Sequence, residues 1–524
     1  MKSLHTALSA LGRAVVLAAA LAGTTALAAP GLPSTNISWL TAAVDADIER
    51  AFTQARAQNK PLLLYWGATW CPPCNQLKAT FFNRQDFAQA SLGFVAVHVD
   101  GDRPGAQKLG SRFKVSGYPT VVLFSPSGQE ITRLPGEADP ERMMAVLQLG
   151  LSDGRPVRDV LADARAGKPL PAGAWRMLAF YSWDTDQDSL VSQAELPDLL
   201  AELARKAPAA EADVSTRLWL KAVAASDDGK GLKADAALRA RVAAVLNDAA
   251  ASRRHADLLS NNAPEMLRAL SDEGSAERAP LAAAFATALQ RLARDPTLSR
   301  GDRAGALIGR IQLARLGQPQ EAVKVDLPAQ LLADVRAHVQ RDDREIRDGY
   351  ERQAVITADA YALAQAGLWA DSDALLEANL AKSHSPYYLM SQLGGNARKL
   401  GRKDEALRWY GEAFAKSEGP ATRLQWGTGY LGALVDLAPK DSARIEKTAA
   451  QLITEAGTDP GAFSGRSARV LARMGRKLTQ WNAEGAHAAA LQRLQRQLDI
   501  VCAKLEPDER PACSSVFKPG AAAG

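Results

Sequence analysis

The chain has 524 residues and a formal charge of +5 at pH 7. It is too long for one ordinary hydrophobic core, so two or more domains are expected, and its charge is too nearly balanced to argue for a nucleic-acid or strongly acidic partner. Alanine is abundant and aromatic residues make up only 6%, a composition that suits closely packed helices.

At the N-terminus Lys2 and Arg13 flank the start of an apolar stretch, Ala14 to Ala22, and Ala26-Leu27-Ala28 has the small-x-small form of a processing site. Residues 1–28 therefore read as a secretory signal peptide cleaved after Ala28, which leaves a mature charge of about +3. No later stretch holds the ~20 uncharged apolar residues that a bilayer crossing requires. The expected product is exported and soluble, with the bacterial periplasm as its destination. The four cysteines, Cys71, Cys74, Cys502 and Cys513, can form two disulfides in such an oxidising compartment.

From Asp45 to Gln58 the spacing is helical, with Ile48, Ala51, Phe52 and Ala55 on one face. Pro61 to Trp66 reads as a buried strand, and a helix opening near Cys71 runs to about Phe82. A helical piece at Asp86–Ser91, a strand at Phe94–Asp100, a helix at Pro104–Phe113 and a strand at Thr120–Phe124 follow. The Pro126-Ser127-Gly128 turn leads into Glu130–Leu134 as a hairpin. Asp139 is placed to cap a last helix, with Pro140 at its first position, ending near Gly150. Strands and helices in this order give a small mixed sheet covered on both faces.

The chemistry sits in Trp70-Cys71-Pro72-Pro73-Cys74. If Cys71 opens a helix, the free N–H groups and the dipole of that helix start favour its thiolate. Cys74, one turn on, is within reach for a disulfide. Half of a zinc site is the other reading of such a pair. It requires about four ligands, and the six histidines are scattered singly, so no metal is assigned. His98, in a strand, reads as structural.

Two further stretches, Gly117-Tyr118-Pro119-Thr120 ahead of a strand and Arg133-Leu134-Pro135-Gly136 ahead of a helix, complete a pattern. Residues 35–150 resemble thioredoxin, and are most similar to the thioredoxin-type domain of the membrane reductase that passes electrons into the bacterial periplasm. The resemblance implies that Cys71 is an exposed nucleophile, that Cys74 is a more buried resolving cysteine and that Pro119 is cis. It also implies that Trp70 and Tyr118, with Trp66 as an addition, rim the site for docking partners. Two departures stand out. Tyr65 occupies the position of the family's buried aspartate, and Ala96 that of its accompanying lysine. Pro72-Pro73 also supplies no charge between the sulfurs, which points to an intermediate or reducing potential.

Gly154-Arg155-Pro156 ends this segment, and residues 155–515 read as nearly all helical: Trp175–Trp183, Leu196–Lys206, Ala209–Ala225, Ala234–Ala251, Pro264–Leu270, Pro280–Ala293 and more. Leu393, Gly394, Gly401, Ala406, Tyr410 and Ala413 stand at tetratricopeptide spacing, so a helical solenoid resembling that family is expected, clearest over 350–450. An upstream pair, Ala360–Gly367 and Ala374–Ala381, reads as a degenerate copy, and a third starts near Trp426. Asp184, Asp186, Asp188, Ser192 and Glu195 fall on EF-hand positions. Ser189 replaces the loop's glycine, however, so an acidic connection is preferred to calcium and no cofactor beyond the redox disulfide is assigned. Cys502 and Cys513 are expected to pair structurally, and 516–524 to form a disordered tail.

The expected function is an exported thiol–disulfide oxidoreductase acting on protein thiols and disulfides of the cell envelope, with a protein partner on the helical region. A non-catalytic scaffold carrying the same fold and a disulfide isomerase or chaperone are the alternatives.

Overall fold

The computed structural model describes residues 37–115, 117–136, 139–186, 189–226 and 231–518. The expected signal peptide, residues 1–28, and the tail residues 519–524 lie outside them. Among the described residues, no helix is long and apolar enough to cross a membrane.

Every residue of the run Leu62–Gly67 is buried, because the strand it forms has helices on both sides. It is β2 of a five-stranded sheet whose other members are β1 (Leu40–Ala42), β3 (Val95–Asp100), β4 (Thr120–Phe124) and β5 (Glu130–Leu134), in the order β1-β3-β2-β4-β5. β1 and β2 flank β3 in parallel, whereas β4 pairs antiparallel with β2 and β5. Leu64 lies opposite both Val97 and Val122. The period-two alternation sends Leu62, Leu64 and Trp66 to one face, against Ile48 and Phe52 of α1 (Asp45–Gln58). Leu63 and Tyr65 go to the other, against Leu77, Phe81 and Met143. The helices α2 (Pro72–Thr80), α3 (Gln85–Ala90), α4 (Ala106–Arg112) and α5 (Pro140–Asp153) complete a thioredoxin-like fold. Gly154 ends α5 with φ 64°, the left-handed conformation that glycine adopts without strain.

The rest of the described chain is helical. The expected single helix over 234–251 is two, Ala236–Asn247 and Ala249–Arg254, because Asp248 adopts an extended conformation and its carboxylate accepts the Ala251 N–H at 2.6 Å. That is an N-cap in the middle of a helical pattern. Leu393 and Gly394 lie on the helix Pro386–Lys399, and Ala406, Tyr410 and Ala413 on the helix Lys403–Lys416 that follows it. A Cβ on Gly394 would come within 3.0 Å of the Tyr410 ring, so the small residue lets Tyr410 fill the gap between the two helices. The expected tail begins too early: Val516 is buried and Phe517 packs on the same core. The neighbouring Cys502–Cys513 bond, with Cα atoms 5.6 Å apart, holds this end of the chain down.

Candidate active site

β2 delivers the chain to Ala68-Thr69-Trp70, and α2 starts immediately after Cys71. Pro72 and Pro73 occupy the first helical positions and have no N–H. The first N–H of the helix therefore belongs to Cys74, and it donates to Cys71 Sγ at 3.2 Å. The next, on Asn75, is satisfied by the Cys71 carbonyl at 3.0 Å. Negative charge on the Cys71 sulfur is favoured by that single N–H and by the helix start. The Asn75 side chain donates to the carbonyls of Thr69 at 2.8 Å and Cys71 at 2.9 Å, which fixes the turn. Cys71 and Cys74 are bonded, with Cα atoms 5.2 Å apart.

The Tyr118–Pro119 peptide is cis. Pro119 Cγ would lie 3.1 Å from a Cβ on Gly136, so the glycine of the turn before α5 is where the proline ring comes close. Tyr65, in place of an acid, is buried and its hydroxyl has no hydrogen-bond partner among the described residues. It stacks on His98 with ring centroids 4.9 Å apart. Burial pushes the Tyr65 hydroxyl above its ordinary range and brings the His98 imidazole down to about 4, so both are neutral at pH 7. Ala96 is buried beside them.

A family of thioredoxin-like domains matches residues 48–150. Thioredoxin of Malassezia sympodialis is 34% identical over 97 residues, which cover 18% of this chain and 87% of that protein. The chain belongs to the thioredoxin-like family. Its domain is also 30% identical over 116 residues to thiol:disulfide interchange protein DsbD 2 of Pseudomonas aeruginosa, covering 21% of this chain and 20% of that protein. A thiol:disulfide interchange protein DsbD of Klebsiella pneumoniae is 33% identical over 87 residues, with coverages of 16% and 14%. The chain thus spans about a fifth or less of the length of these interchange proteins. With the Cys71–Cys74 pair, the family relationship supports thiol–disulfide oxidoreductase chemistry.

In one respect this thioredoxin-like domain departs from what its motifs imply. Cys71, expected to be exposed, is 2% exposed, and Trp70 is 6% exposed. The helical region covers them. Trp70 stacks on Tyr388 at 5.9 Å and meets Trp426 edge-on at 5.0 Å, and the Arg466 guanidinium lies 5.0 Å from the Trp70 ring and 5.1 Å from that of Tyr118. The expected docking rim is therefore occupied by the chain itself. Trp66 is no part of that rim, since it is buried in the sheet core under Gly110 of α4.

Asp102, which carried no signal in the sequence, joins the two regions. Its carboxylate accepts the Trp70 Nε1–H at 3.0 Å, the Thr422 N–H at 2.7 Å and the Thr422 hydroxyl at 2.5 Å. Burial raises its pKa to about 6, against the opposing effect of these hydrogen bonds. In the 184–195 loop, Asp186 is buried and accepts from the Tyr181 hydroxyl at 2.5 Å and the Leu190 N–H at 2.8 Å, while Glu195 accepts from Ser192. Asp188 lies outside the described residues. Elsewhere His338, Asp342 and Asp359 meet in the helical interior, with His338 Nε2 3.2 Å from Asp342 and 3.8 Å from Asp359. Arg341 donates to His338 Nδ1 at 3.0 Å, which leaves the ring proton on Nε2, facing the carboxylates, and makes that nitrogen a donor rather than a metal ligand.

Proposed function

We propose that this chain is an exported thiol–disulfide oxidoreductase of the bacterial cell envelope that exchanges its Cys71–Cys74 pair with protein substrates. The observation that carries the reading is the bonded pair at the start of α2, with the Cys74 N–H aimed at Cys71 Sγ. In the reduced chain the Cys71 thiolate attacks one sulfur of a substrate disulfide. A mixed disulfide forms as the substrate bond breaks, and the released substrate thiolate takes up a proton. Deprotonated Cys74 then attacks the Cys71 sulfur, frees the second substrate thiolate and closes the Cys71–Cys74 bond. Two electrons pass to the substrate, and a dithiol donor returns them to the chain. Run backwards, the steps oxidise a substrate dithiol.

Trp70, Tyr118 and Pro119 serve docking in this scheme, with the Tyr118 backbone pairing to an extended substrate segment. The tetratricopeptide-like helix pairs supply the surface for a protein partner. Insulin reduction by the full chain, compared with Cys71→Ser and Cys74→Ser, tests the proposal: both variants lose activity, and unchanged activity in both refutes it. Cys74→Ser also leaves Cys71 in a mixed disulfide with its substrate, identifiable by mass spectrometry of a periplasmic extract.

The burial of Cys71 supports a second reading, a binding scaffold that retains the fold without turnover. Insulin reduction equal to that of Cys71→Ser is the result it requires.

A further inference from the structure

The surface that meets Trp70 and Cys71 is assembled from distant parts of the helical region. Tyr388 lies on the helix Pro386–Lys399, Thr422 and Trp426 on Pro420–Leu437, and Arg466 on Gly465–Trp481. Each makes a different kind of contact with the same small target. Tyr388 and Trp426 pack on the Trp70 indole, and Thr422 takes a hydrogen bond from its Nε1 at 2.5 Å. Arg466 lies over its face, and its backbone N–H donates to Gln107 Oε1 at 3.0 Å. His384 Nε2 is 3.1 Å from the carbonyl of Thr69. On the next turn of α2, Gln76 donates to Ser299 Oγ at 2.7 Å. Indole nitrogen, indole face and preceding carbonyl are all engaged, and Cys71 and Cys74 lie in one hydrophobic cluster with Leu220, Phe285 and Trp426.

A cavity of about 380 Å³ runs beside this contact, between α2 and the helical region, lined among others by Pro72, Pro73, Gly136 and Tyr388. It reaches the prolines between the cysteines, but neither cysteine lines it. With Cys71 2% exposed, neither a protein disulfide nor a small one can approach its sulfur along the line of attack in this arrangement.

We infer that the helical region is a built-in competitor for the substrate-docking face, and that the contact of Tyr388, Thr422, Trp426 and Arg466 with Trp70 must open before Cys71 can react. The closed and open arrangements are two states of one chain, and a substrate gains access by binding the open one. The biological sense of this gate rests on the redox function proposed above, but its test does not, because alkylation of a thiol requires no turnover.

The full chain is reduced and treated with iodoacetamide, which transfers its carboxamidomethyl group to the Cys71 thiolate and releases iodide. Modification at Cys71 is followed by peptide mass spectrometry. The reference is a free peptide of residues 68–76 under the same conditions. The wild-type chain is expected to react at least 100-fold more slowly than the peptide, and Tyr388→Ala/Arg466→Ala at least 10-fold faster than wild type. A wild-type rate equal to the peptide's, or a folded double variant as slow as wild type, overturns the inference. If circular dichroism shows the double variant unfolded, His384→Ala and Thr422→Val carry the same comparison. An opened variant that alkylates fast yet reduces no insulin leaves the gate standing and refutes the redox function instead.

Discussion

The substitution Asp102→Asn tests the electrostatics of the contact between the two regions. The Asp102 carboxylate is enclosed by Trp70 and Thr422, with Asp100, Tyr118, Tyr387 and Arg466 among its charged or titratable neighbours. Its pKa is raised from an ordinary value near 4 to about 6 by burial. A carboxyl that binds its proton more tightly when folded contributes stability that is complete below pH ~4 and is lost as pH rises through ~6. Two pH units correspond to about 3 kcal/mol at most, and partial exposure of the residue screens this to about 2 kcal/mol.

The amide introduced by Asp102→Asn stays neutral throughout. At pH 4.5 the variant is expected to be less stable by about 1 kcal/mol, since its amide cannot accept the Trp70 N–H in the Oδ2 position. Between pH 4.5 and 7.5 the variant-minus-wild-type difference moves in the variant's favour by about 1.3 kcal/mol, the rest of the effect lying below pH 4.5. Urea unfolding followed by tryptophan fluorescence at several pH values measures it. His98 and His255, both brought down to about 4 by burial, act in the opposite sense, losing stability as pH falls from about 6.5 towards 4. Asp302, also raised to about 6, acts in the same sense as Asp102. These groups are common to both proteins and cancel in the difference. Parallel stability curves for the two proteins across this range refute the reasoning.

Removing the second disulfide with Cys502→Ala/Cys513→Ala opens a loop with a sequence separation of 11. It is expected to lower stability by about 3 kcal/mol in denaturant titration. Gly475→Ala drives a Cβ into the carbonyl of Val516, and thermal unfolding should report a loss of about 1–3 kcal/mol. Tyr65→Phe removes a buried hydroxyl that has no hydrogen-bond partner among the described residues, so its stability should stay within about 1 kcal/mol of wild type or rise, as read by the same scan. A larger loss identifies a partner for that hydroxyl.

Legibility followed the range of the interactions. α1, β4 and β5 begin and end at the residues read from spacing and turns, because apolar periodicity and local caps determine them. β1 was not legible: three residues at a sheet edge are too few to show alternation. The break at Asp248 was missed because an aspartate within an alanine-rich helical pattern signals a cap only once its side chain turns to Ala251. Cys71, Cys74 and Pro119 stood out through local motifs. The covering of Cys71 had no local signal, since the contacts that produce it join residues more than 300 positions apart: Thr69 with His384, Trp70 with Thr422 and Gln107 with Arg466.

The turn at Gly154 ends α5 but does not divide the hydrophobic interior. Ala68, Trp70, Cys71 and Cys74 belong to a cluster whose other members come from residues 220–426. Proteolysis or truncation at residues 154–156 would therefore leave the N-terminal fragment with an uncovered indole and an uncovered disulfide on one face. Such a fragment should be sticky as well as more reactive, because large exposed apolar patches promote association. As a unit of inheritance or of engineering, the smallest transferable piece is the set of residues that completes this cluster, and in the linear chain that set reaches from Ala68 to Trp426.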